Sequence, residues 1–321
     1  VYGAARSGCA IVPLPSGEPH DVLAARCEQV SIDLLVTAGD VTVNGDLPVA
    51  AIHSADDLES VGGALSDDLV HPRPDEAFLL QFTSGTTGRP KVAVLSHRAL
   101  LGSARHYAVA AGATDGTVFY NPLPLDHVGG SVGGVLASLS VGGTYIACER
   151  FDPRSTVEVI IRLRPAIVGL VPTMVVDILE VDGVAAADFA SVEVIVGGAT
   201  NVDPGLIDSI EKRLNTRFLV AYGQSEAPCL TMSSVDAPPY ERTRTIGRPL
   251  PDRDYCVTNA GRLVDEGVVG ELCVRGPLIM SGYLGEDGRI DPARDDHGWM
   301  RTGDLCSMSR GIITFHSRLR D

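Results

Sequence analysis

The sequence predicts an α/β protein that carries a smaller β-rich region toward its C-terminal end. Between about residues 76 and 235, β-branched runs alternate with amphipathic helical segments, which is typical of a largely parallel sheet covered by helices. After about residue 236, arginine, proline and glycine punctuate short alternating strands such as Gly270–Gly276, which favours a small β-rich subdomain of the distorted-barrel type. The chain has 321 residues, 45% hydrophobic and 21% charged, and is therefore long enough to bury a large core.

The individual elements follow from local patterns along the chain. A helix is predicted around His20 to Val30, with short strands at Ile32–Val36 and Ala50–Ile52. The polar, proline-containing segment Asp67–Glu76 predicts a connection. Further strands are predicted at Phe78–Phe82, Val92–Leu95, Thr117–Tyr120, Thr144–Ala147, Ala166–Leu170, Val192–Val196 and Arg217–Val220.

Two helices are indicated between these strands. Ser96 stands directly before His97–Leu101 and has the side chain of a helix N-cap. A second helix is indicated by four apolar residues that recur with helical spacing. These residues are Leu206, Ile207, Ile210 and Leu214.

Charge and cysteine content exclude several classes of function. A net charge of -15 and a pI near 4.9 argue against binding to nucleic acid or to an anionic membrane surface. The seven cysteines are scattered without a Cys-x-x-Cys pair, which predicts free thiols in a reducing cytoplasm and neither disulfides nor zinc. No signal peptide and no membrane-spanning apolar run is evident, and the start at Val1 is interpreted as that of an internal fragment.

The segment Thr83–Lys91 has the composition of a phosphate-binding loop. Its glycines allow close approach of the backbone to phosphate oxygens, its hydroxyls donate hydrogen bonds, and its lysine adds positive charge. It is not a Walker loop, because Pro90 precedes Lys91 and a strand follows where that pattern requires a helix. The alternative interpretation is a hairpin turn rich in Ser, Thr and Gly.

This loop and several other segments, in the same order along the chain, resemble the signatures of the adenylate-forming superfamily. That superfamily comprises acyl- and aryl-CoA synthetases, firefly luciferase and the adenylation domains of nonribosomal peptide synthetases. The matching segments extend from Gly3–Leu14 to Ser317–Asp321, so the resemblance covers essentially the whole chain. It implies the large N-terminal lobe of such an enzyme: two helix-covered β-sheet subdomains and a small distorted β-barrel, with the small C-terminal domain absent.

The resemblance and the local patterns together divide the chain into four parts. Residues 1–75 are interpreted as a first, N-terminally incomplete α/β portion, and residues 76–235 as the α/β subdomain with the phosphate loop. Residues 236–316 are interpreted as the β-rich subdomain, and residues 317–321 as the hinge to the C-terminal domain, with Asp321 at the family's hinge position.

The resemblance also implies a site for ATP and Mg²⁺. Tyr222–Glu226 resembles the family motif Tyr-Gly-x-Thr-Glu, in which Tyr222 would stack on adenine, Ser225 would contact the α-phosphate and Glu226 would hold Mg²⁺. A carboxylate oxygen suits Mg²⁺, which keeps its waters and bridges phosphates, although a glutamate at a strand end is more often only solvated. The residues that would hold the β- and γ-phosphates are Thr83, Ser84, Thr86, Thr87 and Lys91.

Further matches to the family's motifs indicate residues that would bind the nucleoside. Asp304 matches the family's ribose-binding aspartate, and Arg318 matches an arginine near the same ribose, although the family usually has Gly where Ser317 stands. The segment Ser281–Leu284 also matches the family and is interpreted as structural. Four residues are assigned to the backbone that borders adenine and the acyl group: Gly197, Gly198, Ala199 and Gly223. The alternative interpretation is an ordinary glycine turn that leads from a strand into a loop.

The loop Leu123–Gly130 is assigned to the pocket that binds the acid. His127 matches the histidine that many acyl- and aryl-acid members place beside the carboxylate. Amino-acid-activating members place an aspartate at the next position, where this chain has Val128, and an unpaired ammonium in a buried pocket is penalised by several kcal/mol. A plain carboxylic acid is therefore expected, although a shifted alignment would make Asp126 the ammonium partner. The pocket residues are His127, Val128, Gly129, Gly198 and Gly223.

The sequence thus predicts ATP-dependent adenylation of a small carboxylic acid, which yields acyl-AMP and pyrophosphate. Lys91, His127 and Glu226 are the predicted catalytic residues, and the thiol of CoA or of a carrier protein's pantetheine is the predicted acceptor. Two alternatives stay open at this point. One is an amino-acid adenylation domain of a nonribosomal peptide synthetase, and the other is a nucleotide-binding module without turnover.

Overall fold

The computed structural model of the chain describes residues 4, 7–15, 17–37, 47–54, 71–83, 90–198 and 202–319. The helices in this part are α1 (His20–Val30), α2 (His97–Ala110), α3 (Val128–Gly130, continuing through the π-helical Ser131–Leu136 into Ala137–Ser140), α4 (Pro153–Leu163), α5 (Pro172–Leu179), α6 (Pro204–Leu214) and α7 (Pro239–Arg244), with a 3₁₀ turn at Ala186–Phe189. Among the described residues, no helix combines the length and the apolar character that crossing a bilayer requires.

The strands of the first half are β1 (Leu34–Thr37), β2 (Ala51–Ser54), β3 (Ala77–Phe82), β4 (Val92–Ser96), β5 (Val118–Tyr120), β6 (Thr144–Ile146), β7 (Ile167–Gly169) and β8 (Val194–Gly198). Those that follow are β9 (Arg217–Gln224), β10 (Ala227–Met232), β11 (Arg248–Pro249), β12 (Asp254–Asn259), β13 (Arg262–Leu263), β14 (Gly270–Arg275), β15 (Gly282–Leu284), β16 (Ile290–Asp291), β17 (Met300–Ser309) and β18 (Ile312–Arg318).

The largest sheet has seven strands in the order β11-β10-β9-β8-β7-β5-β6. Strands β5 to β9 pair in parallel, and one edge is extended by β10, which is antiparallel to β9, and by β11, which is antiparallel to β10. The predicted parallel, helix-covered layer is therefore confirmed. Helix α6 packs on this sheet through Ile207, Ile210 and Leu214, all buried, which confirms three of the four predicted face residues.

Two further sheets are smaller than the seven-stranded one, and the first of them joins distant parts of the chain. The hairpin β3–β4 is joined by β15 and β16 into a four-stranded sheet, whose order is β16-β15-β4-β3. Strands β12, β13, β14, β17 and β18 form an antiparallel five-stranded sheet with register shifts on both sides of β17. The predicted β-rich subdomain is therefore confirmed, and on its far side β18 also exchanges backbone hydrogen bonds of 2.9 Å with Ile246 and Gly247, through Ile313.

The domain bounds drawn from the sequence stay a prediction, since two sheets cross the proposed boundary at residue 236. Strand β15 pairs with β4, and β11 adds to the edge of the seven-stranded sheet. The N-terminal helix α1 has the predicted bounds, and β1 and β2 form a parallel pair. The predicted N-cap of α2 is confirmed, because Ser96 Oγ accepts a hydrogen bond of 3.1 Å from the backbone N–H of Ala99.

A buried arginine, Arg253, connects three separate segments of the fold. The guanidinium of Arg253 donates to the carbonyl oxygens of Pro228, Cys229 and Leu278 and, at 2.5 Å, to Ser103 Oγ. These acceptors belong to β10, to the segment before β15 and to helix α2. All four acceptors are neutral, so the cation is stabilised by oriented dipoles.

We expect Arg253→Ala to lower the free energy of unfolding by about 3 kcal/mol or more, because it leaves several buried acceptors without a donor. Urea denaturation followed by circular dichroism measures this change. The matched control is Arg98→Ala, which removes an exposed ion pair with Asp75 and should leave stability nearly unchanged. Equal midpoints for the two variants would contradict the structural role of Arg253.

Candidate functional site

The segment Tyr222–Glu226 forms the end of a strand and a tight turn. Tyr222 and Gln224 belong to β9, Gln224 pairs with Ala227 at the start of β10, and Ser225 and Glu226 form the two-residue turn between them. Residues two apart on a strand point to the same face. Tyr222 and Gln224 therefore face the same way, and both reach Asp304 on β17.

The carboxylate of Asp304 is the centre of the first cluster. It has 2% of its side chain exposed, and its Oδ2 accepts hydrogen bonds from Tyr222 Oη at 2.5 Å and from Gln224 Nε2 at 2.7 Å. The Nε of Arg318 lies 3.5 Å from the other oxygen, Oδ1, because Asp304 and Arg318 are paired across β17 and β18. Burial and the charge of Asp304 raise the pKa of Tyr222, so its phenol stays a neutral donor.

The structure thus brings together Tyr222, Asp304 and Arg318, three residues that the sequence indicated separately. It adds Gln224, which the sequence analysis missed. Gln224 also donates to the carbonyl oxygen of Thr302 at 2.7 Å, so its amide connects β9 to β17 at two points. The available signal was its position two residues after Tyr222 in a strand, which predicts a shared face.

A cavity of about 430 Å³ is lined by residues of β9 and β18, the strands that carry Tyr222 and Arg318. Val220, which shares the face of Tyr222 on β9, and Phe315, three residues before Arg318 on β18, both line it. This volume is within the range of small-molecule sites. The other lining residues are Val202, Asp203, Pro204, Thr243, Arg244, Thr245 and Ile246.

A second cluster contains Glu226, Lys91 and Tyr283. The Oε1 atom of Glu226 accepts a hydrogen bond of 2.7 Å from Tyr283 Oη, and the Glu226 carbonyl accepts one of 2.7 Å from the Met280 N–H. The Lys91 ammonium lies over the Tyr283 ring, with Nζ 4.6 Å from the ring centroid. The sequence analysis interpreted Tyr283 as structural and therefore missed this contact.

The candidate phosphate loop is the connection between β3 and β4. Its base is closed by a hydrogen bond of 2.9 Å from the Thr83 N–H to the Lys91 carbonyl. The predicted residues Ser84, Thr86 and Thr87 lie outside the described part of the chain, as does Ala199. The strand that follows Lys91 supports the distinction from a Walker loop, in which a helix follows the lysine.

The acid-binding candidates lie at the start of α3. The Gly129 N–H donates to His127 Nδ1 at 2.9 Å, so Nδ1 is an acceptor and the neutral ring carries its proton on Nε2. Although His127 is exposed on its loop, desolvation lowers the pKa of the imidazole, and the charge of Asp126 only partly opposes this. Val128 is buried. Gln81 Nε2 donates to the Asp126 carbonyl at 2.8 Å and ties this loop to β3.

Three glycines of the candidate site, Gly197, Gly198 and Gly223, lie in strands. Gly197 and Gly198 are the last residues of β8, and the assignment of their backbone to the site stays a prediction. A Cβ on Gly198 would lie 1.9 Å from the Ala221 carbonyl oxygen, and one on Gly223 would lie 2.5 Å from the Cys229 nitrogen. These positions need glycine because neighbouring backbone lies in the space that a side chain would fill.

Comparisons with known proteins agree with this arrangement. A family model described as AMP-binding enzyme matches residues 1–284. A mitochondrial medium-chain acyl-CoA ligase of Bos taurus is 33% identical over 276 residues, which are 81% of this chain and 45% of that protein. A putative acyl-CoA synthetase of Bacillus subtilis (strain 168) is 29% identical over 287 residues, which are 86% of this chain and 52% of that protein.

Solved structures extend the comparison to the fold. A malonyl-CoA ligase, in a ternary product complex with methylmalonyl-CoA and AMP, matches with a TM-score of 0.86 and 28% identity. That match covers 99% of this chain and 68% of the ligase. The chain spans about half the length of the curated relatives described above.

We expect Gly198→Ala to destabilise the protein by at least about 3 kcal/mol, because the new methyl group would force β8 and β9 apart at the Ala221 carbonyl. The measurement is urea denaturation. As a control, Gly133→Ala in α3 brings its methyl group no closer than 3.4 Å to the Tyr107 ring and should be tolerated. Equal stability of both variants would show that β8 can shift freely.

Proposed function

The chain belongs to the family of AMP-binding enzymes, and from this premise we propose that it binds the nucleotide and the acid in an ATP-dependent carboxylic acid–CoA ligase. An oxygen of the acid attacks the α-phosphorus of ATP and pyrophosphate leaves; the CoA thiol then attacks the acyl carbon and AMP leaves. The observation that carries this proposal is the convergence of Tyr222 and Arg318 on the buried carboxylate of Asp304. Relatives named as acyl-CoA ligases favour CoA over a carrier protein as the acceptor.

The nucleoside of ATP would occupy the cavity lined by Val220 and Phe315, with its ribose toward Asp304. The apolar side chains of Val220 and Phe315 suit the flat faces of a purine, and the aromatic Tyr222 lies two residues beyond Val220 on the same face of β9. The Oδ1 atom of Asp304 accepts from neither Tyr222 nor Gln224, so it is placed to accept from ribose hydroxyls. Arg318 would then contact the ribose from the same side.

The phosphates would lie between Lys91 and Glu226. One oxygen of Glu226 is occupied by Tyr283, and no described residue donates to the other, Oε2. The described residues contain no group of three or more His, Cys, Asp or Glu that would form a closed metal cage. A single carboxylate nevertheless fits Mg²⁺, which commonly binds through one protein oxygen, substrate phosphates and water. When bound, the ion would offset charge on the phosphates, and Glu226 would hold it.

The acid would be bound by the start of α3. His127 carries its proton on Nε2, so it can donate a hydrogen bond to a carboxylate oxygen without adding a full charge. The neighbouring Val128 is buried and offers no partner for an α-ammonium group. A plain acyl or aryl acid is therefore the proposed substrate class.

Replacement of Glu226 by Ala should reduce ATP–pyrophosphate exchange in the full-length protein about a hundredfold, because a charged transition-state contact is lost. The rate is measured at saturating ATP and acid over a range of Mg²⁺ concentrations. Glu158→Ala, which removes an exposed carboxylate from α4, is the matched control and should exchange normally. Unchanged exchange by the Glu226 variant would remove this residue from the mechanism.

A panel of acids with and without an α-amino group tests the proposed substrate class. We expect exchange with acyl or aryl acids to exceed exchange with amino acids, and Val128→Asp to lower activity on the preferred acid by placing a carboxylate beside it. Asp126→Asn is the matched variant and should leave the preference unchanged. If a proteinogenic amino acid is the best substrate and Asp126→Asn abolishes its use, Asp126 is the ammonium partner and the proposal is wrong.

A further inference from the structure

Tyr283 contacts both charged residues that flank the proposed phosphate site. Its hydroxyl donates to Glu226 Oε1 at 2.7 Å, and its ring receives the Lys91 ammonium at 4.6 Å. Lys91 and Glu226 carry opposite charges and touch the same side chain, yet they form no ion pair within 4.0 Å. The phenol is the side chain that both of them contact.

The backbone fixes the place of this phenol. Tyr283 on β15 is directly opposite Ala93 on β4, two residues beyond Lys91, so the lysine is its diagonal neighbour across the two strands. The Ser281 N–H donates to the Val94 carbonyl, and the Met280 N–H donates to the Glu226 carbonyl, both at 2.7 Å. Tyr283 is therefore held between the phosphate loop and the β9–β10 turn.

We propose that Tyr283 is a positioning residue that keeps Glu226 and Lys91 apart and ready for a metal–nucleotide complex. This inference rests on the proposed function. A neutral hydroxyl satisfies one oxygen of Glu226 and leaves its charge intact, and a neutral ring face attracts the ammonium without neutralising it. Without the phenol, the two side chains would pair with each other, and the pair would withhold the carboxylate from the metal and the ammonium from phosphate.

The electrostatics of the phenol agree with this role. The hydroxyl of Tyr283 is the donor in its 2.7 Å hydrogen bond to the acceptor-only carboxylate of Glu226, and a phenol keeps this proton at physiological pH. An ionised phenol would repel Glu226 and attract Lys91 more strongly. The neutral form is the one that can serve both residues at once.

The first test separates the two contacts in the full-length protein. Tyr283→Phe keeps the ring and removes the hydroxyl, whereas Tyr283→Leu removes both. Binding of Mn²⁺ in the presence of a non-hydrolysable ATP analogue is titrated by electron paramagnetic resonance. We expect affinity for Mn²⁺ to fall about tenfold in Tyr283→Phe, the effect of one hydrogen bond to a charged group, and about a hundredfold in Tyr283→Leu.

The second test is a double-mutant cycle that a merely structural tyrosine would not satisfy. If Lys91 pairs with Glu226 in Tyr283→Leu, adding Lys91→Met should recover most of the lost Mn²⁺ affinity. The same substitution in the wild-type background should lower Mn²⁺ affinity, because it removes a phosphate contact there. Tyr255→Phe, whose hydroxyl donates to the carbonyls of Leu230 and Leu250 away from this cluster, is the control and should leave Mn²⁺ affinity unchanged.

Equal Mn²⁺ affinity in wild type and Tyr283→Phe would overturn the proposal, as would the absence of recovery in the double variant. If Tyr283→Leu does not fold, the near-isosteric Tyr283→Phe decides the question. A wild-type protein that exchanges no pyrophosphate with any acid would contradict the proposed function. The Mn²⁺ titration judges the role of Tyr283 independently of turnover.

Discussion

Burial of the Asp304 carboxylate constrains how the sheets of this protein meet. A charge removed from water must be given donors, and Asp304 takes them from Tyr222 and Gln224. These donors belong to the seven-stranded sheet, whereas the carboxylate belongs to the five-stranded sheet. The hydrogen bonds therefore hold the two sheets in one relative position, and the cavity between Val220 and Phe315 lies along the same junction. Loss of either donor would loosen the site and the sheet contact together.

The carboxylates of the proposed site are stabilised differently from the structural ones. Glu211 pairs with Arg242 at 2.7 Å and Glu241 pairs with Arg248 at 3.0 Å, so cations neutralise both carboxylates. Asp304 accepts its two short hydrogen bonds from a phenol and an amide, and its contact with the exposed cation of Arg318 is longer. Glu226 accepts its hydrogen bond from a phenol. A neutral donor stabilises the carboxylate without neutralising it. The negative charge therefore remains for a ribose hydroxyl or a cation, in a chain whose net charge is already -15.

Local signals in the sequence predicted those features that depend on neighbours along the chain. The N-cap at Ser96, the buried face of α6 and the strands of the parallel layer follow from side-chain chemistry and periodicity. The roles of Gln224 and Tyr283 did not follow, because each depends on a strand pairing between distant segments. Gln224 occupies a variable place in a recognisable motif, and only the approach of β17 gives its amide an acceptor. Tyr283 acquires its partners only when β15 pairs with β4.

The pairing of β15 with β4 makes the four-stranded sheet important for the proposed chemistry. Gln81, Ala93 and Tyr283 lie directly opposite one another on β3, β4 and β15, so their side chains emerge in one row on one face. Gln81 anchors the loop of His127, Tyr283 anchors Glu226 and Lys91, and the small, buried Ala93 between them leaves room for both. Adenylation requires the acid oxygen and the α-phosphorus to be held in line. One row of this sheet can therefore fix the acid-binding loop relative to the phosphate-binding groups, while the nucleoside is placed separately by Asp304.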